Sequence, residues 1–473
     1  MENTHTLAVD NENYPYLIVG NFVYPLSMDE SLSKIRQIYG LEGTSWRSKA
    51  MILREELIEK ALEVSDVVTV IERSGSYLSE DGHETVLIGP VKGDGKADLV
   101  YQLTDGEVVL RDLPEGCYFK AMPNRLPLER ASETPDFRAL FELINIQEEL
   151  ELLLLVAWMT YTLCHPKVSP NKFVLLALTG GQGTGKTVLS TLLRDLIDPN
   201  RLGVQSFPAS ERNLTVALQQ SHVVFFDNLS FIKKVRSDFL CQALTGATLQ
   251  SRTLFTDAGS FAMKMHSPMV LNGISNPITE PDLAERSLVL KLEKIDPEER
   301  VSDKELQKQF RSNKADIFAA LLDISAEILN LLPSIKPTKP ARMIDFSHWL
   351  AGMEKVFGFE DCELQEAFIS RQQNESLGAV LETTLGAAVK DFLDRELSWK
   401  GTPQKLLDAL RELRKSYRGL PDQPIGLTKA LKKMQPALEN AGIEMEFGRS
   451  KERWIKLELV DQWALDSSGD EEY

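Results

Sequence analysis

Apolar residues recur every third or fourth position in "MDESLSKIRQIYG" and "SKAMILREELIEKALEV", the spacing of helices that bury one face. The rhythm then shortens. "VVTVIERSGSYLSEDGHETVLIGP" reads as short strands cut by Gly, Ser and Asp turns. "GPVKGDGKADL" has no helix start after its glycines, so it predicts a loop. Residues 1–145 are therefore expected to form a mixed α+β domain. In "IQEELELLLLVAWMTYTLC" the apolar stretch Leu152–Met159 is too short to span a bilayer, and Glu148, Glu149 and Glu151 stand directly before it. It predicts a buried helix.

Between 146 and 295 the pattern alternates helix, strand, loop, helix and strand, as in an α/β core. Residues 296–398 read as helical, with a break at "PSIKPTKPAR". Residues 399–460 hold two helical stretches followed by the alternating pair "IEMEFGRSKERWIKLEL", a winged-helix-like order. The tail 461–473, ending "DSSGDEEY", is acidic and has too little apolar surface to bury.

The core segment carries the clearest chemistry. Phe173–Leu178 is an apolar run suited to a strand buried on both faces. Gly180, Gly181, Gln182, Gly183, Thr184, Gly185, Lys186 and Thr187 then satisfy G-x-x-x-x-G-K-[ST]. After them Val188, Leu189, Leu192, Leu193, Leu196 and Ile197 share one helical face. Glycines there let backbone N–H groups turn toward an anion, and the helix start adds its positive end. ATP is the expected ligand, with Lys186 on the β/γ-phosphates and the Thr187 hydroxyl on Mg²⁺. A second apolar strand, Val223–Phe226, ends in Asp227, a carboxylate placed to share that Mg²⁺. A third, in "SPMVLNG", ends in Asn272, an amide suited to orienting the attacking water. Arg286, in "PDLAERSLVLKL", is placed to stabilise γ-phosphate charge, in a neighbouring subunit or its own.

Charge refines this picture. A net charge of −17 excludes non-specific coating of a polyanion by the whole surface. Trp399–Lys456, however, holds 13 Lys/Arg against 7 Asp/Glu. Lys429, Lys432 and Lys433 fall on a predicted helix, and Arg449, Lys451 and Arg453 on the turn after it. Helix plus basic wing suits duplex DNA gripped by its phosphates, or alternatively a protein partner. The four cysteines, Cys117, Cys164, Cys241 and Cys362, lack metal or disulfide spacing, and no secretory signal is visible, so a reducing cytoplasm is expected. Asp94, Asp98, Asp105 and Asp112 read as solvated turn residues rather than metal ligands.

The order of these elements resembles the superfamily 3 helicase-like AAA+ ATPases of phages, plasmids and viruses, including the ATPase half of phage primase–helicases. The resemblance rests on Gly180–Thr187, "VVFFD", "LTGATLQSRTLFTDAGSFAMKM", "VLN" and Arg286, over about residues 146–295. Residues from Ala341 to the C-terminus also look like ATP-binding proteins of prophages. The resemblance implies an AAA+ P-loop NTPase fold, a ring (a homo-hexamer) and a hairpin over Leu249–Met265 that grips one DNA strand in the channel. Arg252, Lys264 and His266 are its cationic candidates. Two positions depart from the family pattern. Ala247 replaces the second glycine of the Thr-Gly-Gly segment, and Asn228 follows Asp227 where a second acid would polarise water. No primase site is recognisable in residues 1–145. The expected function is an ATP- and Mg²⁺-dependent DNA-translocating motor, helicase-like, in the replication of a phage or other mobile element. The alternative is an ATP-controlled switch or scaffold that hydrolyses slowly.

Overall fold

A computed structural model describes residues 5–460, apart from 64–65, 79–83, 94–98, 253–259, 297, 299, 360–361, 382, 414–418, 441 and 451. Strands β1 (Thr6–Val9), β2 (Pro15–Val19) and β3 (Phe22–Pro25) run antiparallel. Helices α1 (Glu30–Ile38) and α2 (Trp46–Glu63) follow, burying Leu32, Ile35, Leu57 and Ala61 with Leu17 in a small core of their own. After β4 (Thr69–Ile71) comes an antiparallel meander of β5 (Ser74–Leu78), β6 (Glu84–Val91), β7 (Leu99–Thr104) and β8 (Glu107–Asp112). Strand β9 (Cys117–Lys120) returns to the first sheet, parallel to both β3 and β4.

The meander does not stop at the expected boundary. Val86, Ile88, Tyr101 and Leu103 belong to the same buried cluster as the central sheet. A buried ion pair joins the two parts: the Arg73 guanidinium donates to Asp198 Oδ1 at 2.9 and 3.0 Å, with both side chains almost wholly out of solvent. Beside it, Glu72 is paired to Lys120 and to Lys167, so charges of residues 1–145 and of the central region neutralise each other.

The central region opens with α3 (Arg138–Phe141) and α4 (Glu149–Cys164). Helix α4 is apolar on all sides and buried on all sides, as its composition predicts. Its one buried acid, Glu151, is paired to Arg371. Then come β10 (Leu175–Thr179), α5 (Lys186–Ile197), β11 (Gln205–Ser206), α6 (Glu211–Gln219), β12 (Val224–Asp227) and α7 (Lys234–Thr245). The hairpin β13 (Ala247–Arg252) and β14 (Ser260–Met265) precedes β15 (Met269–Asn272), α8 (Pro281–Ala284) and β16 (Ser287–Lys291). Five of these strands form a parallel sheet in the order β11-β12-β15-β10-β16. From β10 the chain crosses to β11 on one side and later returns to β16 on the other. Loops leaving the carboxyl end of β10 therefore part from those of its neighbours, opening a crevice there.

Helices α9 (Asp303–Leu331), α10 (Ile344–Phe357) and the first half of α11 (Glu363–Leu381) pack into this same core through Phe310, Phe318, Phe346, Trp349 and Phe368. A second core starts within α11, at Leu377 and Val380. It is completed by α12 (Thr384–Glu396), β17 (Ser398–Gly401), α13 (Pro403–Leu413), α14 (Pro424–Asn440), β18 (Ile443–Arg449) and β19 (Arg453–Leu459). The C-terminal unit thus begins earlier than residue 399, because the apolar face of α12 (Leu385, Val389, Phe392) closes it. Its sheet has the order β17-β19-β18, two helices and a wing hairpin following β17. Among the described residues no helix is long and apolar enough to cross a membrane.

Candidate functional site

Thr179, Asp227 and Asn272 end three neighbouring parallel strands, so the topology gathers them at one edge of the sheet. The glycine loop leaves β10 at that edge. Gly180, Gly183 and Gly185 have φ of 142°, 77° and 86°, a region that L side chains rarely enter. At Gly180 space is also lacking, since a Cβ would stand 2.4 Å from the Leu292 carbonyl oxygen. The loop curls round its lysine: Lys186 Nζ donates to the carbonyls of Gly180 and Gly181 at 2.6 Å each and to Thr184 Oγ1 at 3.1 Å. Partial burial pulls the Lys186 pKa below its ordinary value, against the opposing pull of Asp227.

Thr187 Oγ1 donates to Asp227 Oδ2 at 2.9 Å, and the backbone N–H of Asn228 donates to Asp227 Oδ1 at 2.8 Å. Asn228 itself adopts a left-handed φ of 59°. A cavity of about 890 Å³ lies over these groups. Gln182, Gly183, Thr184, Gly185, Lys186, Thr187, Asp227 and Asn228 line it, and Glu142, Asn145, Ile295, Arg300 and Asp303 are among the residues of its other walls.

Asn272 departs from expectation. It is fully buried, its Nδ2 donates to Asp227 Oδ1 at 3.2 Å and its Oδ1 accepts from Ser190 Oγ at 2.9 Å. With both amide ends engaged it braces Asp227 rather than facing the cavity. Arg286 lies outside this cavity. It pairs with Asp282 at 3.4 Å, and Arg342 joins the same carboxylate at 2.7 Å.

The nucleic-acid candidates divide. The expected hairpin is present, with Thr248 opposite Lys264 and Arg252 opposite Ser260 in the register; the side chains of Arg252 and Lys264 lie outside the described part of the structure. Its tip, 253–259, lies outside the described residues. His266 is a correction. Only 4% exposed, it sits beneath the hairpin with its ring 4.9 Å from that of Phe173, so it offers no surface charge. On α14, Lys429 is exposed and Lys432 stands over the Phe447 ring at 5.2 Å. Lys433 instead reaches the central region, pairing with Glu280 at 2.7 Å. Arg449 and Arg453 face each other across the wing hairpin, and Lys451 lies outside the described residues. So do Asp94 and Asp98; among the described residues no group of three or more His, Cys, Asp or Glu side chains is arranged to hold a metal.

Sequence reasoning missed Asn145, whose Nδ2 donates to the carbonyls of Thr184 and Glu293 and staples the segments flanking the cavity to the loop. A single amide far from any motif gives no pattern to read.

Two family descriptions match successive parts of the chain. That of the actinomycete integrative conjugative element replication protein covers residues 137–371, and that of the AICE RepA C-terminal domain covers residues 385–468. The chain belongs to this replication-protein family. The gap between the two AICE RepA matches falls where α11 passes from the central core to the C-terminal one. No curated protein matches the chain. Among solved structures, two A form apo structures of the NrS-1 C-terminal region resemble it at 14% identity with TM-scores of 0.38 and 0.37. A third apo structure of that region does so at 15% identity and a TM-score of 0.38. Each match covers 97% of this chain and 96–97% of the other.

Proposed function

We propose that this replication protein is an ATPase that couples hydrolysis to movement along DNA, acting as a ring, a homo-hexamer, during replication of its mobile element. One observation carries the reading: Lys186 and Thr187 at the start of α5 and Asp227 at the end of β12 line a single cavity beside a left-handed glycine loop. The strand order and this loop support an AAA+ P-loop NTPase core.

The residues suit the chemistry. Water attacks the γ-phosphorus, the bond to the β–γ bridging oxygen breaks, and ADP and phosphate leave. Lys186, freed from the loop carbonyls, neutralises the β/γ oxygens. Thr187 Oγ1 and Asp227 Oδ2 are hard oxygen donors side by side, the donor type that Mg²⁺ takes. A Mg²⁺ ion held by these two oxygens would supply positive charge to offset the charge that develops on the phosphates. Asn272 positions Asp227. Arg286, being outside its own chain's cavity, acts at the site of the next subunit. DNA contacts come from Arg252 and Lys264 in the channel and from the basic face of the C-terminal unit.

A second reading has its own support. Asn228 cannot serve as a base, and the other carboxylates lining the cavity are Glu142 and Asp303. A nucleotide-controlled switch with slow turnover is consistent with that. Unwinding of a forked duplex separates the two: the motor opens it with ATP, and the Arg252→Ala/Lys264→Ala protein keeps basal turnover but loses DNA stimulation and unwinding. A wild type that turns over ATP yet never opens the fork supports the switch.

A further inference from the structure

The glycine loop is flanked along its length by the segment after β16. Leu292 donates its N–H to the Thr179 carbonyl at 2.8 Å, and its own carbonyl closes on Gly180. Ile295 Cδ1 lies 3.6 Å from where a Cβ on Gly185 would be, and Arg300 Nη2 lies 3.3 Å from the corresponding point at Gly183. Leu292, Ile295 and Arg300 therefore each stand beside the loop, and Asn145 bonds both the loop carbonyl of Thr184 and the carbonyl of Glu293.

Arg300 stands at the far end of these contacts. It is exposed at the cavity wall and takes part in no hydrogen bond or ion pair among the described residues. The other charged groups lining the cavity are Glu142, Lys186, Asp227 and Asp303. A free guanidinium over the middle of a left-handed glycine loop is matched to a phosphate, which it can grip with two parallel N–H donors.

We propose that Arg300 is a second cationic ligand of the nucleotide's phosphates, supplied by the same chain; this rests on the nucleotide reading above. The contact ties the phosphates to the start of α9, which Ser302 caps by accepting from the Glu305 N–H at 3.2 Å. Nucleotide binding thereby links the glycine loop to the start of α9.

The test is titration calorimetry of the full chain with ADP and with ATP, for wild type, Arg300→Ala and Arg300→Lys, alongside nucleotide-free melting. Arg300→Ala should bind both nucleotides about tenfold more weakly, which is about 1.4 kcal/mol. Arg300→Lys should recover part of the loss, and all three proteins should melt together without nucleotide. The proposal is overturned if Arg300→Ala binds as wild type does, if Arg300→Lys is as weak as Arg300→Ala, or if the loss follows a lowered melting temperature. A wild type that binds neither nucleotide overturns the nucleotide reading itself, a different result from a wild type that binds but ignores Arg300.

Discussion

Thr187 Oγ1 donates a 2.9 Å hydrogen bond to Asp227 Oδ2, joining residues 40 positions apart at the edge of the parallel sheet. The hydroxyl is on the exposed first turn of α5, so removing it should leave the fold alone. Thr187→Val keeps the shape and deletes the donor. It should lower Mg²⁺-dependent ATP turnover at least about tenfold, some 1.4 kcal/mol of transition-state stabilisation, at an unchanged melting temperature. Phosphate-release kinetics over a Mg²⁺ series check this, and wild-type turnover in the variant would remove Thr187 from the metal site.

Arg286 makes a prediction that depends on assembly. The role proposed for it is that of an arginine supplied across a subunit boundary, and such an arginine is worth about 10³–10⁵ in rate in phosphoryl-transfer systems. Arg286→Ala should bind ATP but hydrolyse it hardly at all. Mixing it with Lys186→Ala protein should restore part of the activity, since some mixed sites are complete. Co-assembly without any recovery would argue that Arg286 is only the structural partner of Asp282.

The C-terminal unit should contribute phosphate contacts. Lys429 and Lys432 are on one helix and have no carboxylate partner among the described residues, whereas Lys433 is engaged by Glu280. In the full chain, Lys429→Ala/Lys432→Ala should flatten the dependence of log affinity for duplex DNA on log salt by about one unit per lost contact. Lys433→Ala alone should change the slope less. An unaltered slope in the double variant would reassign this face to a protein partner.

Two buried histidines set an acid limit on stability. Burial holds His222 and His165 at a pKa of about 4, against an ordinary value of 6.5. For His222, Lys167 pushes further down while Asp198 and Glu72 oppose it. Between pH 6.5 and 4 the unfolded chain binds protons that the folded chain refuses, so stability is full above about 6.5 and declines as pH falls through that window. Melting temperature should drop from pH 7 to pH 5, and His222→Gln should shrink the drop. An identical slope in the variant would place the proton uptake elsewhere.

What could be read in the sequence was local. The glycine loop, its strand and its helix are contiguous, and Asp227 ends its own apolar run, so spacing alone located them. Arg73 and Asp198 are 125 residues apart, and neither stands in a motif, so the fusion of the N-terminal meander to the central core was invisible. His266 looks like a hairpin cation until the fold covers it. Asn272 shows the same limit: its place at a strand end was legible, but not that both ends of its amide would be taken by Asp227 and Ser190. Strand periodicity marks which residues turn inward; it says nothing about which distant side chain meets them.

A DNA motor requires that ATP be hydrolysed in this cavity and that DNA raise the rate. Its most direct test is steady-state ATP turnover by the purified full chain, with and without single-stranded DNA, beside Lys186→Ala. The expected result is Mg²⁺-dependent turnover that rises when DNA is added, and a Lys186→Ala protein that is folded and inactive in both conditions. Turnover by Lys186→Ala close to wild type, or a wild type with no DNA-responsive turnover, would contradict it.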